Sequence, residues 1–122
     1  MKLNLKRITA VCIDGRPMNP DLLQRYQSII SYMQKFIDFY EIRFIGTVNP
    51  NIPGITFNQI EPMGIHGYSQ FCIFKLNSII KSDFCLIFQD DGFIVNPDLW
   101  QDTFYTYDWI GSPWPLYMGW PR

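Results

Sequence analysis

The chain has 122 residues, of which 48% are hydrophobic and 17% aromatic, with a formal net charge of −1. That is one domain or part of one, long enough and apolar enough to bury a core, which excludes a disordered tail. A charge so near zero excludes a broad basic face, so neither nucleic acid nor anionic lipid is an expected partner. The opening Met1-Lys2-Leu3-Asn4-Leu5-Lys6-Arg7 is basic but lacks the long apolar stretch of a signal peptide. No apolar run is long enough to form a transmembrane segment. The three cysteines, Cys12, Cys72 and Cys85, are odd in number and widely spaced among apolar neighbours. Reduced core thiols in a cytoplasmic protein are the expectation, and no metal–thiolate spacing is present.

Arg7 to Ile13 reads as a first strand, rich in β-branched and small apolar residues and ended by the turn signal Asp14-Gly15-Arg16-Pro17. Asn19-Pro20-Asp21 then predicts a helix start: Asn19 can cap, Pro20 suits the first helical position, and Asp21 complements the dipole. Leu22, Tyr26, Ile29, Ile30, Met33, Ile37 and Tyr40 fall on one helical face, predicting a helix packed on a sheet. Glu41 to Gly46 predicts a second strand. A polar loop from Asn49 to Gly54 follows, then a short edge strand over Ile55 to Ile60 and another loop marked by Pro62, Gly64 and Gly67. Tyr68 to Lys81 is helical in pattern, with Cys72, Leu76, Ile79 and Ile80 on one face. Phe84 to Phe88 predicts a strand buried on both faces. Phe93-Ile94-Val95 is expected to return as a further strand, and Leu99 to Tyr105 to form a short helix after Asn96-Pro97-Asp98. Alternation of this kind implies an α/β fold, with a mostly parallel central sheet and right-handed crossovers.

The chemistry concentrates where the Phe84–Phe88 run stops, at Gln89-Asp90-Asp91-Gly92. Neighbouring carboxylates at the end of a buried strand repel each other and lose hydration. A hard cation offsets both costs, since Mg²⁺ or Mn²⁺ prefers carboxylate oxygens and commonly also holds substrate phosphates. In open α/β sheets ligands bind beyond the carboxyl ends of the strands, which is where Asp90 and Asp91 fall. A plain reading competes with this one, because Asp-Gly between apolar runs is a common tight-turn signal.

An apolar strand ending in an acidic cluster resembles the metal-binding motif of GT-A-fold glycosyltransferases, usually two acids separated by one residue. Here the triplet is Gln89-Asp90-Asp91, with Gln in place of the first acid. The segments VCIDGRPMNPDL, YSQFCIFKLNSIIKSDFCLIFQDDGFIVNPDLWQDTF and YDWIGSPWP together look like a family of glycosyltransferase-like domains of unknown function. The likeness covers nearly the whole chain in order. It implies a Rossmann-like, GT-A-type layered fold, a nucleotide-sugar donor (a UDP-sugar favoured), Mn²⁺ or Mg²⁺, and a glycan or small-molecule acceptor. By position it implies Asp91 as the direct metal ligand. Asp90 would touch the donor or hold a metal-bound water, and Ile13, Asp14, Arg16 and Thr47 would line the nucleotide pocket. A catalytic residue is not assigned. The resemblance also leads one to expect a Gly-rich, Asn-containing segment soon after Trp114, where this chain has only Leu116 to Arg122. The expectation is therefore a single domain over residues 1–122 equivalent to the donor-binding half, its acceptor side absent or supplied by a second chain. The alternative is a non-catalytic domain that binds a sugar nucleotide or a partner.

Three other features carry less. Asp14-Gly15-Arg16 after a first strand has the outline of an aspartate-nucleophile phosphatase, but Arg16 stands where the second acid belongs. His66 is a lone loop histidine, more often a surface residue than a ligand. Trp109, Trp114, Tyr117 and Trp120 could stack on sugar rings or could simply pack.

Overall fold

The protein is described by a computed structural model that covers residues 2–111. Four strands form one sheet: β1 (Leu3–Asp14), β2 (Ile37–Gly46), β3 (Thr56–Gln59) and β4 (Phe84–Phe88), in the order β3-β2-β1-β4. Every pairing is parallel, as the strand–helix alternation predicts. Three helices, α1 (Pro20–Phe36), α2 (Ile65–Phe74) and α3 (Leu76–Ile79), supply the crossovers.

Alternation along β1 sorts the core into two faces. Ala10 and Cys12 point with Ile42, Phe44 and Phe88 toward α1, where they meet Tyr26, Ile29, Ile30 and Met33. Val11 and Ile13 point the other way with Ile45, against Leu76 and the partly buried Tyr68, Phe71, Cys72 and Ile79. Central β1 is thus covered on both sides, the arrangement expected of a parallel sheet.

The local reasons for α1 match the sequence at its start. The Asn19 side chain accepts the Leu22 backbone N–H at 2.8 Å, Pro20 opens the helix, and Asp21 lies in its first turn. Its end differs from expectation. The helix stops at Phe36, and Ile37 is already extended as the first residue of β2. Ile37 and Phe39 are both buried, alternating as strand residues do, while Tyr40 is 53% exposed. The helical spacing runs on past the helix end because Ile37 lies four residues after Met33 and Tyr40 three after Ile37.

Four further expectations are corrected. The helix drawn over Tyr68 to Lys81 begins earlier, at Ile65, breaks at Lys75 and ends with α3 at Ile79. β4 is not buried on both faces: Phe84, Leu86 and Phe88 turn toward the α1 side of the core, but Cys85 and Ile87 are exposed, because among the described residues the opposite core layer does not reach over them. Phe93 to Val95 forms no strand. The chain turns back through a single antiparallel bridge, Gln89 to Gly92, and Phe93 and Ile94 pack on the α1 side of the core. The helix expected over Leu99 to Tyr105 is replaced by two 3-10 turns, Pro97–Leu99 and Asp102–Thr106. That segment and β4 enclose an apolar trough of about 830 Å³, walled by Phe84, Leu86, Ile94, Trp100 and Tyr105. No helix among the described residues is long and apolar enough to cross a membrane.

Candidate functional site at the carboxyl edge of the sheet

All four strands run the same way, so the ends of β1, β2 and β4 deliver Asp14, Thr47 and Gln89-Asp90-Asp91 to one edge. α1 starts at that edge as well, since only the short turn Gly15–Asn19 separates it from β1.

Asp14 closes β1 and is 2% exposed. A carboxylate buried so deeply must be paired, and this one is. Arg16 donates to it from its backbone N–H at 3.0 Å, from Nε at 3.0 Å and from Nη2 at 2.7 Å, and the Tyr26 hydroxyl also donates to Oδ2. Burial pushes the Asp14 carboxyl up, but the hydrogen bonds from Arg16 and Tyr26 outweigh it and leave the pKa below the usual carboxylate value. The same contact with Asp14, and then the one with Asp90, raise the pKa of Arg16. Tyr26 is fully buried, and burial followed by its neighbours Cys12 and Asp14 raises its hydroxyl pKa. Cys12, buried on the same face, is pushed up to about 12, chiefly by burial.

From Arg16 the network crosses the edge. Its Nη2 donates to Asp90 Oδ1 at 2.7 Å, and Arg25, from the second turn of α1, donates through Nη1 to Asp90 Oδ2 at 2.8 Å. The Asp90 side chain is 9% exposed, so each of its oxygens is held by a guanidinium. Asp91, one step along, is exposed and makes no side-chain hydrogen bond or ion pair among the described residues. The turn itself is tight: the Gln89 N–H donates to the Gly92 carbonyl at 2.9 Å and the Gly92 N–H returns to Gln89 at 3.2 Å. Gln89 also donates from Nε2 to the Ile13 carbonyl at 3.1 Å, tying the ends of β1 and β4 together. Gly92 is not demanded by the turn, since a Cβ there would meet nothing within 4 Å.

A cavity of about 390 Å³ opens beside this network, lined by Ile13, Asp14, Gly15, Arg16, Met63, Gly64, Ile65, Tyr68 and Gln89. Met63 is its wedge. Its N–H donates to the Gly15 carbonyl at 3.1 Å, and a Cβ on Gly15 would fall 2.4 Å from Met63 Cγ. Gly15 is therefore glycine because another backbone segment lies against it.

Of the residues singled out from sequence, Ile13, Asp14, Arg16 and Asp90 gather in this one region. The Ile13 side chain belongs to the core, and its carbonyl is what reaches the edge. Thr47 braces the turn rather than facing the cavity, donating from its hydroxyl to the Arg16 carbonyl at 3.0 Å. His66 is exposed in the first turn of α2. Trp109 is 79% exposed, while Trp114, Tyr117 and Trp120 lie outside the described residues. Sequence reasoning missed Arg25, Met63 and Tyr68. Arg25 could have been found by noting that a helix following β1 starts at the site edge, so polar residues of its first two turns can reach it.

Among the described residues no group of three or more His, Cys, Asp or Glu side chains is gathered as a metal would need to be held by protein alone. The donor set does fit a cation carried in part by a phosphate ligand, with Asp91 as the open carboxylate. The charges agree: Asp14, Asp90 and Asp91 contribute −3 and Arg16 and Arg25 +2, so the edge carries −1 and would repel a polyanion arriving without a cation.

Among curated proteins and among solved structures no match was found. Residues 54–119 match a family described as proteins of unknown function, DUF5672. That span takes in the Met63–Tyr68 wall of the cavity, β4 and the whole acidic turn. With more than half of its length matched, and with the two features that shape this edge inside the match, the chain belongs to the DUF5672 family.

Proposed function

We propose that this edge binds a nucleoside diphosphate sugar and that the chain is the donor-binding part of a GT-A-type glycosyltransferase. The observation that carries the reading is the meeting, at the carboxyl edge of an all-parallel sheet, of an open cavity with an acidic turn whose second carboxylate is exposed. The cavity would take the base and ribose, with Tyr68 and Met63 as its apolar wall and Arg16 as its polar one. Asp91 would hold Mn²⁺ or Mg²⁺, and such an ion, when bound, supplies positive charge to the diphosphate as it leaves. Asp90 keeps Arg16 and Arg25 in place across the edge. The glycosyl group would pass from the diphosphate oxygen to a hydroxyl of a glycan or small-molecule acceptor.

Calorimetry with UDP in the presence of Mn²⁺ tests this. The native chain should release heat that depends on the cation, and Asp91→Ala should abolish that dependence. Equal heats from the two proteins would remove the basis of the assignment.

A second reading is a domain that binds a sugar nucleotide without transferring the sugar. It is favoured by the fate of the acids: Asp14 and Asp90 are both held by guanidinium groups, which leaves neither as a free base. Sugar transfer by the 122-residue chain to any acceptor hydroxyl would exclude it.

A further inference from the structure

We propose that Arg25 is a phosphate-binding residue of this edge, taking the part of a diphosphate that a cation on Asp91 does not. The inference rests on the donor-binding reading above and adds to it a group that no motif points to.

Arg25 and Arg16 both hold Asp90, but they are not equivalent. Arg16 spends Nε and Nη2 on Asp14, Asp90 and the Tyr26 hydroxyl, and so is locked into the end of β1. Arg25 makes one side-chain hydrogen bond among the described residues, through Nη1. A guanidinium carries five N–H donors in a rigid fork. Nε and Nη2 of Arg25 thus have no partner among the described residues, and the side chain is 57% exposed. The side chain leaves the second turn of α1 and is tethered at its far end by Asp90. A pre-positioned, half-exposed fork is what planar recognition of a phosphate needs.

Charge decides when it can act. With Asp90 paired to it and Asp91 the next residue of the turn, Arg25 alone does not attract a polyanion. A divalent ion on Asp91 turns the local sum from −1 to +1, so the fork and the cation act together, one phosphoryl group to each. Asp90 stays in place as the strut that aims the fork.

The test compares native protein with Arg25→Met, which keeps the length of the side chain, and with Arg25→Lys, which keeps the charge but not the fork. Each is titrated with UDP plus Mn²⁺ and with uridine, after a thermal melt has shown a folded protein. The expected result is UDP binding weakened about tenfold or more in Arg25→Met, a smaller loss in Arg25→Lys, and uridine binding unchanged. Unchanged UDP binding in Arg25→Met overturns the proposal while leaving the donor reading intact. Parallel losses of UDP and uridine also overturn it, because Arg25 would then only support the fold. Absence of UDP binding by the native protein with Mn²⁺ would defeat the donor reading and this inference together.

Discussion

Gly15→Ala is the substitution whose cost can be worked most directly from the geometry. The added methyl would sit 2.4 Å from Met63 Cγ, 2.8 Å from the Met63 carbonyl oxygen and 2.9 Å from its nitrogen. Carbon atoms pack best at about 3.5–4.0 Å, so more than an ångström of overlap must be relieved. The side chain of Met63 can swing away, but its backbone cannot retreat without stretching the 3.1 Å hydrogen bond to the Gly15 carbonyl. Overpacking of this kind and the strained hydrogen bond together cost roughly 2–4 kcal/mol. At about 4 °C per kcal/mol for a domain of this size, the melting temperature should fall by about 8–16 °C. Differential scanning fluorimetry and urea denaturation read the effect, with Gly92→Ala as control. At Gly92 a methyl meets nothing within 4 Å, and the change should stay within about 0.5 kcal/mol. Met63→Ala combined with Gly15→Ala should recover part of the loss, because only the side-chain share of the clash is removed. A Gly15→Ala melt indistinguishable from that of Gly92→Ala would refute the wedge.

Tyr26→Phe should destabilise by about 1.5–3 kcal/mol in urea titrations, since it removes a buried hydrogen bond to the charged Asp14. Because the Asp14 pKa is lowered in the folded chain, its contribution is present in full above the ordinary carboxylate pKa and disappears as pH falls through the folded value. Urea midpoints should therefore drop as pH falls from the usual Asp range through the folded value, and in Tyr26→Phe, whose folded Asp14 pKa lies closer to the ordinary one, the drop should be smaller and finish at higher pH. Cys12, buried and pushed up to about 12, should resist iodoacetamide in the native protein and react only on unfolding, as mass spectrometry of the alkylated peptides would read.

The sequence was informative wherever one residue has one local task. Asn19, Pro20 and Asp21 start α1 where their chemistry says they should, and the strand–helix alternation was enough to announce a parallel sheet. It was ambiguous wherever two periods overlap. Ile37 fits a helical stripe through Met33 and also alternates with Phe39, and only its partner Leu3 on β1 decides for the strand. Phe93 to Val95 has strand composition, but the tight Gln89–Gly92 turn sends it over the α1 face instead of along a neighbour. At the site, Asp14, Arg16, Asp90 and Asp91 were visible as residue types next to strand ends. The difference between them was not, because it depends on Arg25, sixty-five residues before Asp90 in the chain, reaching it across space.

β4 has consequences for handling the protein. Its outward-facing amides and carbonyls have no neighbouring strand among the described residues, and the greasy trough with Trp100 and Tyr105 runs alongside. Parallel or antiparallel, any stretched polypeptide that meets this margin finds both a ladder to pair with and a surface to wet. Concentrated samples should therefore self-associate through this flank first, and a lysine placed at Ile87, 37% exposed on the strand, should keep them dispersed.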